Sequence, residues 1–280
     1  MGIGAYIKRG IRYIIKGQPQ INITTEIVQK TPNEIFKNKN ILITGGGDGL
    51  GFYIAKKCVE EGAKVLLVGR KEEKLKAAVE KLGEKASYMQ FDVQKVEEMK
   101  PFIDEAYKKL GTIDCLVNNA GISLHEKEMK KVEIAGFDSQ FNTNLRGSYF
   151  LAQAYLKKLE EEKQESGNII FISSERGAQC DDIPYGLTKV AINSLTEGLS
   201  RRYYKSGVRV NAVAPGITAS NMTKINKDEN LYCEYNASER FFVPEEVAEV
   251  VAFLISDVSK CISGEVIYCD AGNHLNPWFA

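Results

Sequence analysis

The chain has 280 residues, 44% hydrophobic and 26% charged, which is enough to bury a full core in one α/β domain. Its 37 basic and 37 acidic residues cancel, removing the global field that would favour nucleic acid or an acidic partner. Six cysteines with no C-x-x-C pair, and only two histidines, argue against a metal site or a disulfide framework and point to a reducing, cytoplasmic setting.

Residues 1–38 stand apart from the rest of the chain. Ile3, Ile7, Ile11 and Ile14 recur at helical spacing, with Lys8, Arg9, Arg12 and Lys16 on the other faces. A basic amphipathic helix over residues 1–16 can lie on an anionic membrane surface, or it can pack on the domain or on a second subunit; the second reading is preferred. The basic residues interrupt the apolar core that a signal peptide needs, and no run of about 18 apolar residues could form a transmembrane helix. Residues 18–38 read as an irregular connector.

From Asn40 onward, apolar β-branched runs alternate with amphipathic stretches. The spacing predicts strands at 40–44 and 64–68, a third ending at Phe91-Asp92-Val93, and others at 113–117, 168–172, 209–213 and 265–269. Between them it predicts helices up to about 61, over 71–82, 96–110, 137–165 and 185–206, and from Pro244. This alternation implies a single doubly wound α/β domain over 39–280, a Rossmann-type parallel sheet covered by helices on both faces.

The first strand runs into Thr44-Gly45-Gly46-Gly47-Asp48-Gly49-Leu50-Gly51, and a helix comes next. Glycine permits positive φ in a tight turn and lets a pyrophosphate approach the backbone, while the helix N-terminus beyond offers free N–H groups. The spacing differs from the commoner G-x-G-x-x-G, and a ligand-free turn is the minority alternative. The second strand ends Val68-Gly69-Arg70-Lys71, with no acid to hold a ribose 2′-hydroxyl. Arg70 and Lys71 suit a 2′-phosphate, so NADP is preferred over NAD. Asp48 works against that preference, and a solvated helix start is the plainer account of the two cations.

Tyr185-Gly186-Leu187-Thr188-Lys189 places a phenol and an amine on one helix face. A free tyrosine is a poor base near neutrality; an adjacent ammonium and an oxidised nicotinamide ring favour the phenolate, so Tyr185 can exchange a proton with an alcohol or alkoxide. Ser173 and Ser174 end an apolar strand, where a hydroxyl can hold a carbonyl oxygen or merely cap a turn. Asn118-Asn119-Ala120-Gly121 ends another strand in the same manner.

Together these residues resemble the short-chain dehydrogenase/reductase family from about Asn40 to Gly272. The matching motifs are the glycine turn, Asp92-Val93, Asn118 to Gly121, Asn144 within Asn142-Thr143-Asn144-Leu145-Arg146-Gly147, Ile172-Ser173-Ser174, Tyr185 to Lys189, Pro215-Gly216 and Asp270-Ala271-Gly272. The resemblance implies a tetrad of Asn144, Ser174, Tyr185 and Lys189, with Asn144 kinking its helix and holding a relay water. Gly177, three residues after Ser174, marks that serine as the family's catalytic one. It implies cofactor contacts at Gly45, Gly47, Asp48, Gly49, Leu50, Gly51, Arg70, Lys71, Asp92, Val93, Asn119, Ala120, Gly121, Pro215, Gly216, Ile217 and Thr218, besides Tyr185 and Lys189.

The activity so implied is reduction of a carbonyl to an alcohol with NADPH; the alternatives are an NAD-linked alcohol dehydrogenase and a non-catalytic dinucleotide-sensing or scaffold protein. The helices from Phe137 and Tyr185 resemble the family's subunit interface, so a homodimer or homotetramer is expected. Residues 218–242 resemble its substrate lid. Met222, Leu231, Tyr232, Tyr235, Phe241 and Phe242 there can bury an apolar ligand or pack the lid onto the domain. Arg176, Asp181 and Asp182 can touch a polar substrate or remain solvated loop charges, and His125 reads as a loop residue.

Overall fold

The computed structural model describes residues 33–234 and 236–275; the helix expected over 1–16, most of the connector, and Tyr235 lie outside the described residues. In chain order the elements are β1 (Asn40–Thr44), α1 (Gly49–Glu60), β2 (Lys64–Gly69), α2 (Glu72–Leu82), β3 (Ala86–Gln90), α3 (Met99–Leu110), β4 (Cys115–Asn118), α4 (Ile134–Gln140), α5 (Ser148–Glu161), β5 (Gly167–Ile172), α6 (Pro184–Tyr203), β6 (Val208–Pro215), α7 (Pro244–Ile255) and β7 (Val266–Cys269). The sheet has seven strands in the order β3-β2-β1-β4-β5-β6-β7. Every strand pairing in it is parallel.

Strand parity sorts the core into two layers. Ile41, Ile43, Val65 and Leu67 face α1, α2 and α7. Leu42, Leu66 and Val68 face α3, α5 and α6. A sheet buried on both faces needs continuous apolar runs, and β1 and β2 supply them. Each fully buried aliphatic side chain contributes roughly 1.5–3 kcal/mol. Tyr155, fully buried on α5, satisfies its hydroxyl by donating it to the Ile113 carbonyl at 2.9 Å.

The chain reverses its winding between β1 and β4, so the carboxyl ends of these strands open a crevice at the switch point. Pro184 opens α6 as its first residue, where a missing N–H is harmless.

Several boundaries differ from the sequence expectation. β3 stops at Gln90; the last ladder bond runs from Phe91 N to Gly69 O, where β2 also ends. Asp92 then accepts the Gln94 N–H at 3.0 Å, a local turn that carries the chain off the sheet. The single helix expected over 137–165 is three pieces, with a π-helical turn at Phe141–Gly147 between α4 and α5. The connector also contributes to the core, since Phe36 is 1% exposed and packs with the first layer.

Candidate active site

The glycine turn is shaped by contacts that leave no room for side chains. Gly45 and Gly49 have φ of 66° and 53°, the left-handed region that glycine enters without penalty. A Cβ on Gly51 would stand 2.2 Å from the Gly45 carbonyl oxygen. Thr44, at the end of β1, accepts the N–H groups of Asn119 and Ala120 on its hydroxyl, each at 3.0 Å. Asn119 donates its amide to the Thr44 and Gly45 carbonyls at 2.9 and 3.2 Å. The two strand ends flanking the crevice are thus tied to each other, and Asn119 acts on the turn through its side chain.

Two cavities meet at this turn and share Gly45, Asp48, Ala120 and Gly121. One, of about 210 Å³, is lined by Gly47, Arg70, Lys71, Asp92 and Val93. The other, of about 570 Å³, is lined by Gly49, Leu50, Gly51, Asn119, Ser174, Tyr185, Lys189, Pro215, Gly216, Ile217 and Thr218. Every residue named from the sequence as a catalytic or cofactor contact lines one of these two spaces, with the exception of Asn144.

Asn144 sits 2% exposed in the π turn. Its side chain braces the loop after β4: Nδ2 donates to the Ile122 carbonyl at 2.9 Å and to Thr188 Oγ1 at 3.2 Å, and Oδ1 accepts the Ile122 N–H at 2.8 Å. The helix distortion expected at Asn144 is present as this turn. Its side chain is engaged with protein groups and does not line the cavity.

The two serines separate cleanly. Ser173 is 2% exposed, and its hydroxyl donates to Asn193 Oδ1 at 2.6 Å. Ser174 lines the larger cavity and accepts the Arg176 N–H at 3.3 Å. Gly177 gives Asn193 its place, since a Cβ there would stand 2.6 Å from Asn193 Nδ2.

Lys189 is 5% exposed and donates Nζ to the Ile172 carbonyl at 2.8 Å. Its amine lies 5.4 Å from the centre of the Tyr185 ring. Burial pulls the ammonium down to about 8. Burial also pushes the Tyr185 phenol up; the Ser174 hydroxyl and the Arg176 charge act in the opposite sense, and the Glu175 charge adds to the rise.

One placement was not legible in the sequence. Asp48 pairs with Lys74 and accepts from Asn221 Nδ2, so its charge is neutralised at the turn. Arg70 and Lys71 are exposed and face the smaller cavity beside Lys74. The lid contributes Met222 to the larger cavity, and His125 Nε2 lies 2.9 Å from the Met222 carbonyl. Phe242, 7% exposed, packs instead on the backbone of Gly216, and Tyr232 is 61% exposed.

The short chain dehydrogenase family profile matches residues 39–230. The 3-oxoacyl-[acyl-carrier-protein] reductase FabG of Aquifex aeolicus is 34% identical over 244 residues, spanning 84% of this chain and 97% of that protein. Its counterpart in Staphylococcus epidermidis strain RP62A is 34% identical over 247 residues, covering 85% of this chain and 100% of the relative. Among solved structures, levodione reductase superposes with a TM-score of 0.78 at 30% identity, over 86% of this chain and 99% of that one. The 3-ketoacyl-(acyl-carrier-protein) reductase of Brucella melitensis, complexed with NADH, gives 0.78 at 27% identity, over 85% and 99%. The chain belongs to the short chain dehydrogenase family and is an oxidoreductase that acts on carbonyl and alcohol groups.

Proposed function

We propose that this oxidoreductase reduces a carbonyl to an alcohol with NADPH, using Ser174, Tyr185 and Lys189. The observation that carries the reading is a pair of cavities that share the glycine turn, with a buried amine beside a phenol in the larger one. The two cavities fit a dinucleotide, since the turn they share rejects a Cβ at Gly51 and keeps main-chain N–H groups at the mouth of α1. Arg70, Lys71 and Asp92 would hold the adenosine end; Pro215 to Thr218 and Lys189 would hold the nicotinamide end. When bound, the reduced nicotinamide supplies the hydride.

The chain's own groups manage the proton. Ser174 holds the carbonyl oxygen, and Tyr185 donates to that oxygen as charge builds on it. Lys189, whose ammonium titrates near 8, restores the phenol's proton. The Lys189 amine is bonded to the Ile172 carbonyl and stands over the phenol ring, so return runs through an intervening water or hydroxyl. The Asn144 side chain is committed to Ile122 and Thr188, which leaves the main chain of the π turn to hold a relay water.

The preference for NADPH is supported by the Lys74 partner of Asp48, which removes the negative charge that opposed it, and by Arg70 and Lys71 beside the smaller cavity. The experiment is titration of NADPH and NADH into the purified chain, followed by a carbonyl panel read as loss of NADPH absorbance. Binding of neither dinucleotide refutes the reading, and equal affinity for both refutes the preference.

A homo-oligomer through α4 to α6 is supported by apolar side chains left at the surface, with Phe137 and Leu187 each 39% and Val190 41% exposed. Sedimentation at a monomer's mass refutes it. A reducing compartment is supported by six cysteines that are all unpaired.

A further inference from the structure

The larger cavity carries a cation that this chemistry leaves unused. Arg176 lies two residues beyond Ser174, and its N–H donates to the Ser174 hydroxyl, so its backbone is fixed beside the group that holds the reacting oxygen. Its Nε donates to Asp181 Oδ2 at 2.6 Å. The Asp181 side chain is 3% exposed, and its other oxygen accepts the Ile183 N–H at 3.1 Å. The first turn of α6 is shaped around this carboxylate, since a Cβ on Gly186 would stand 1.7 Å from Asp181 Oδ2.

With Nε engaged, the two terminal nitrogens of the guanidinium have no hydrogen-bond partner among the described residues, and Arg176 lines the cavity wall. Glu175 and Glu126 also line this cavity. Glu175 accepts the Asn273 amide at 2.9 Å, and burial pushes its pKa up. Glu126 accepts the Gln140 amide on Oε1 at 2.7 Å, and its Oε2 is buried with no hydrogen-bond partner among the described residues.

We propose that Arg176 forms an anion subsite and that the substrate is a carbonyl compound bearing a carboxylate or phosphate close to the reacting carbon. The proposal rests on Ser174 and Tyr185 marking that carbon. The outer edge of a guanidinium presents parallel N–H groups that match either anion in two hydrogen bonds, and Asp181 fixes the plane before substrate arrives. The Arg176 charge also lowers the Tyr185 pKa, but that influence is the same for every substrate.

The test uses ketones that share one reacting carbonyl and differ in the neighbouring group, as carboxylate, phosphate monoester or neutral amide. Turnover is followed as NADPH oxidation, and the matching alcohols are titrated calorimetrically into the dinucleotide-loaded protein. The parent is expected to prefer at least one anion over the amide by about tenfold or more in both readouts. The two anionic arms decide between carboxylate and phosphate. Arg176→Ala is expected to bring the ratio to within about twofold, and Arg176→Lys to keep part of the preference. A parental ratio near one overturns the proposal, as does a loss in Arg176→Ala that is equal for charged and neutral compounds. Full turnover by Tyr185→Phe would instead sink the catalytic reading, and the calorimetric ratio would still decide the subsite.

Discussion

Replacing Lys189 by Met tests whether a charged amine is held in the interior at a measurable cost. The fall from an ordinary 10.5 to about 8 makes the native state bind the proton more weakly than the unfolded chain. At about 1.36 kcal/mol per tenfold change in proton affinity, the native ammonium is disfavoured by about 3 kcal/mol. The sign comes from linkage: below about pH 8 both states are protonated and the full penalty is present, and it is relieved as pH rises towards 10.5, because the unfolded chain holds the proton longer. Lys189→Met also leaves the Ile172 carbonyl without its donor, a loss of about 1–3 kcal/mol that does not change with pH. The stability difference between parent and variant therefore shifts in the parent's favour by about 2 kcal/mol between about pH 7 and pH 9.5. Urea unfolding of both proteins across that range measures it, with other titrating groups cancelling in the difference. A difference that stays flat with pH would refute the buried-ammonium argument.

On the proposed mechanism the same group sets the pH dependence of catalysis. Reduction needs Lys189 protonated, so kcat/KM for the carbonyl should fall as pH rises through about 8, and the limb should vanish in Lys189→Met. Tyr185→Phe removes the proton donor while keeping the ring; a loss of about 10²–10⁴ in kcat is expected, and a loss under tenfold contradicts the assignment. Arg70→Ala should weaken NADPH by about tenfold or more and leave NADH within about threefold, as read by titration; equal weakening would make Arg70 a helix-start charge only. Two glycines should behave oppositely in thermal unfolding. Gly51→Ala meets the Gly45 carbonyl at 2.2 Å and should cost about 2–4 kcal/mol, whereas Gly198→Ala in α6 meets nothing within 4 Å and should stabilise by about 0.5–1 kcal/mol.

The sheet was readable because each parallel strand is buried on both faces and prints a continuous apolar run, bounded by glycine or a charged residue, as at Lys64–Gly69. The site was readable to the extent that it depends on strand ends. Thr44, Asn118 and Ile172 end β1, β4 and β5, and the groups just beyond them face one crevice. The π turn was not readable from periodicity, since an extra residue in one turn barely disturbs an apolar pattern that continues through it, and only the resemblance pointed to a distortion at Asn144. The partner of Asp48 was hidden for a different reason. Lys74 lies 26 residues away on α2, and pairs across elements leave no local signal. The direction of the apolar lid residues was not readable from their number: Phe242 turns onto Gly216 and packs the lid on the domain, while Met222 lines the cavity with Ser174 and Arg176.

What holds Lys189 in place explains several residues that touch no substrate. Its carbonyl neighbour Ile172 is the last residue of β5, so the amine is aimed by the sheet itself. Gly121 keeps the space beside the amine open, because a Cβ there would stand 3.8 Å from Nζ and 3.5 Å from Asn144 Oδ1. Asn144 fixes the backbone just past Gly121 by bonding both polar groups of Ile122. Thr188, one residue before the lysine, accepts from Asn144 and donates to the Tyr185 carbonyl at 2.6 Å, which links the π turn to the first turn of α6. On the other side, Ser173 ties β5 to Asn193, which in turn holds Gly177. A buried ammonium would otherwise relax towards water by a rotamer change, at a gain of about 3 kcal/mol. The bond to Ile172 holds the amine inside, where burial lowers its proton affinity to about 8.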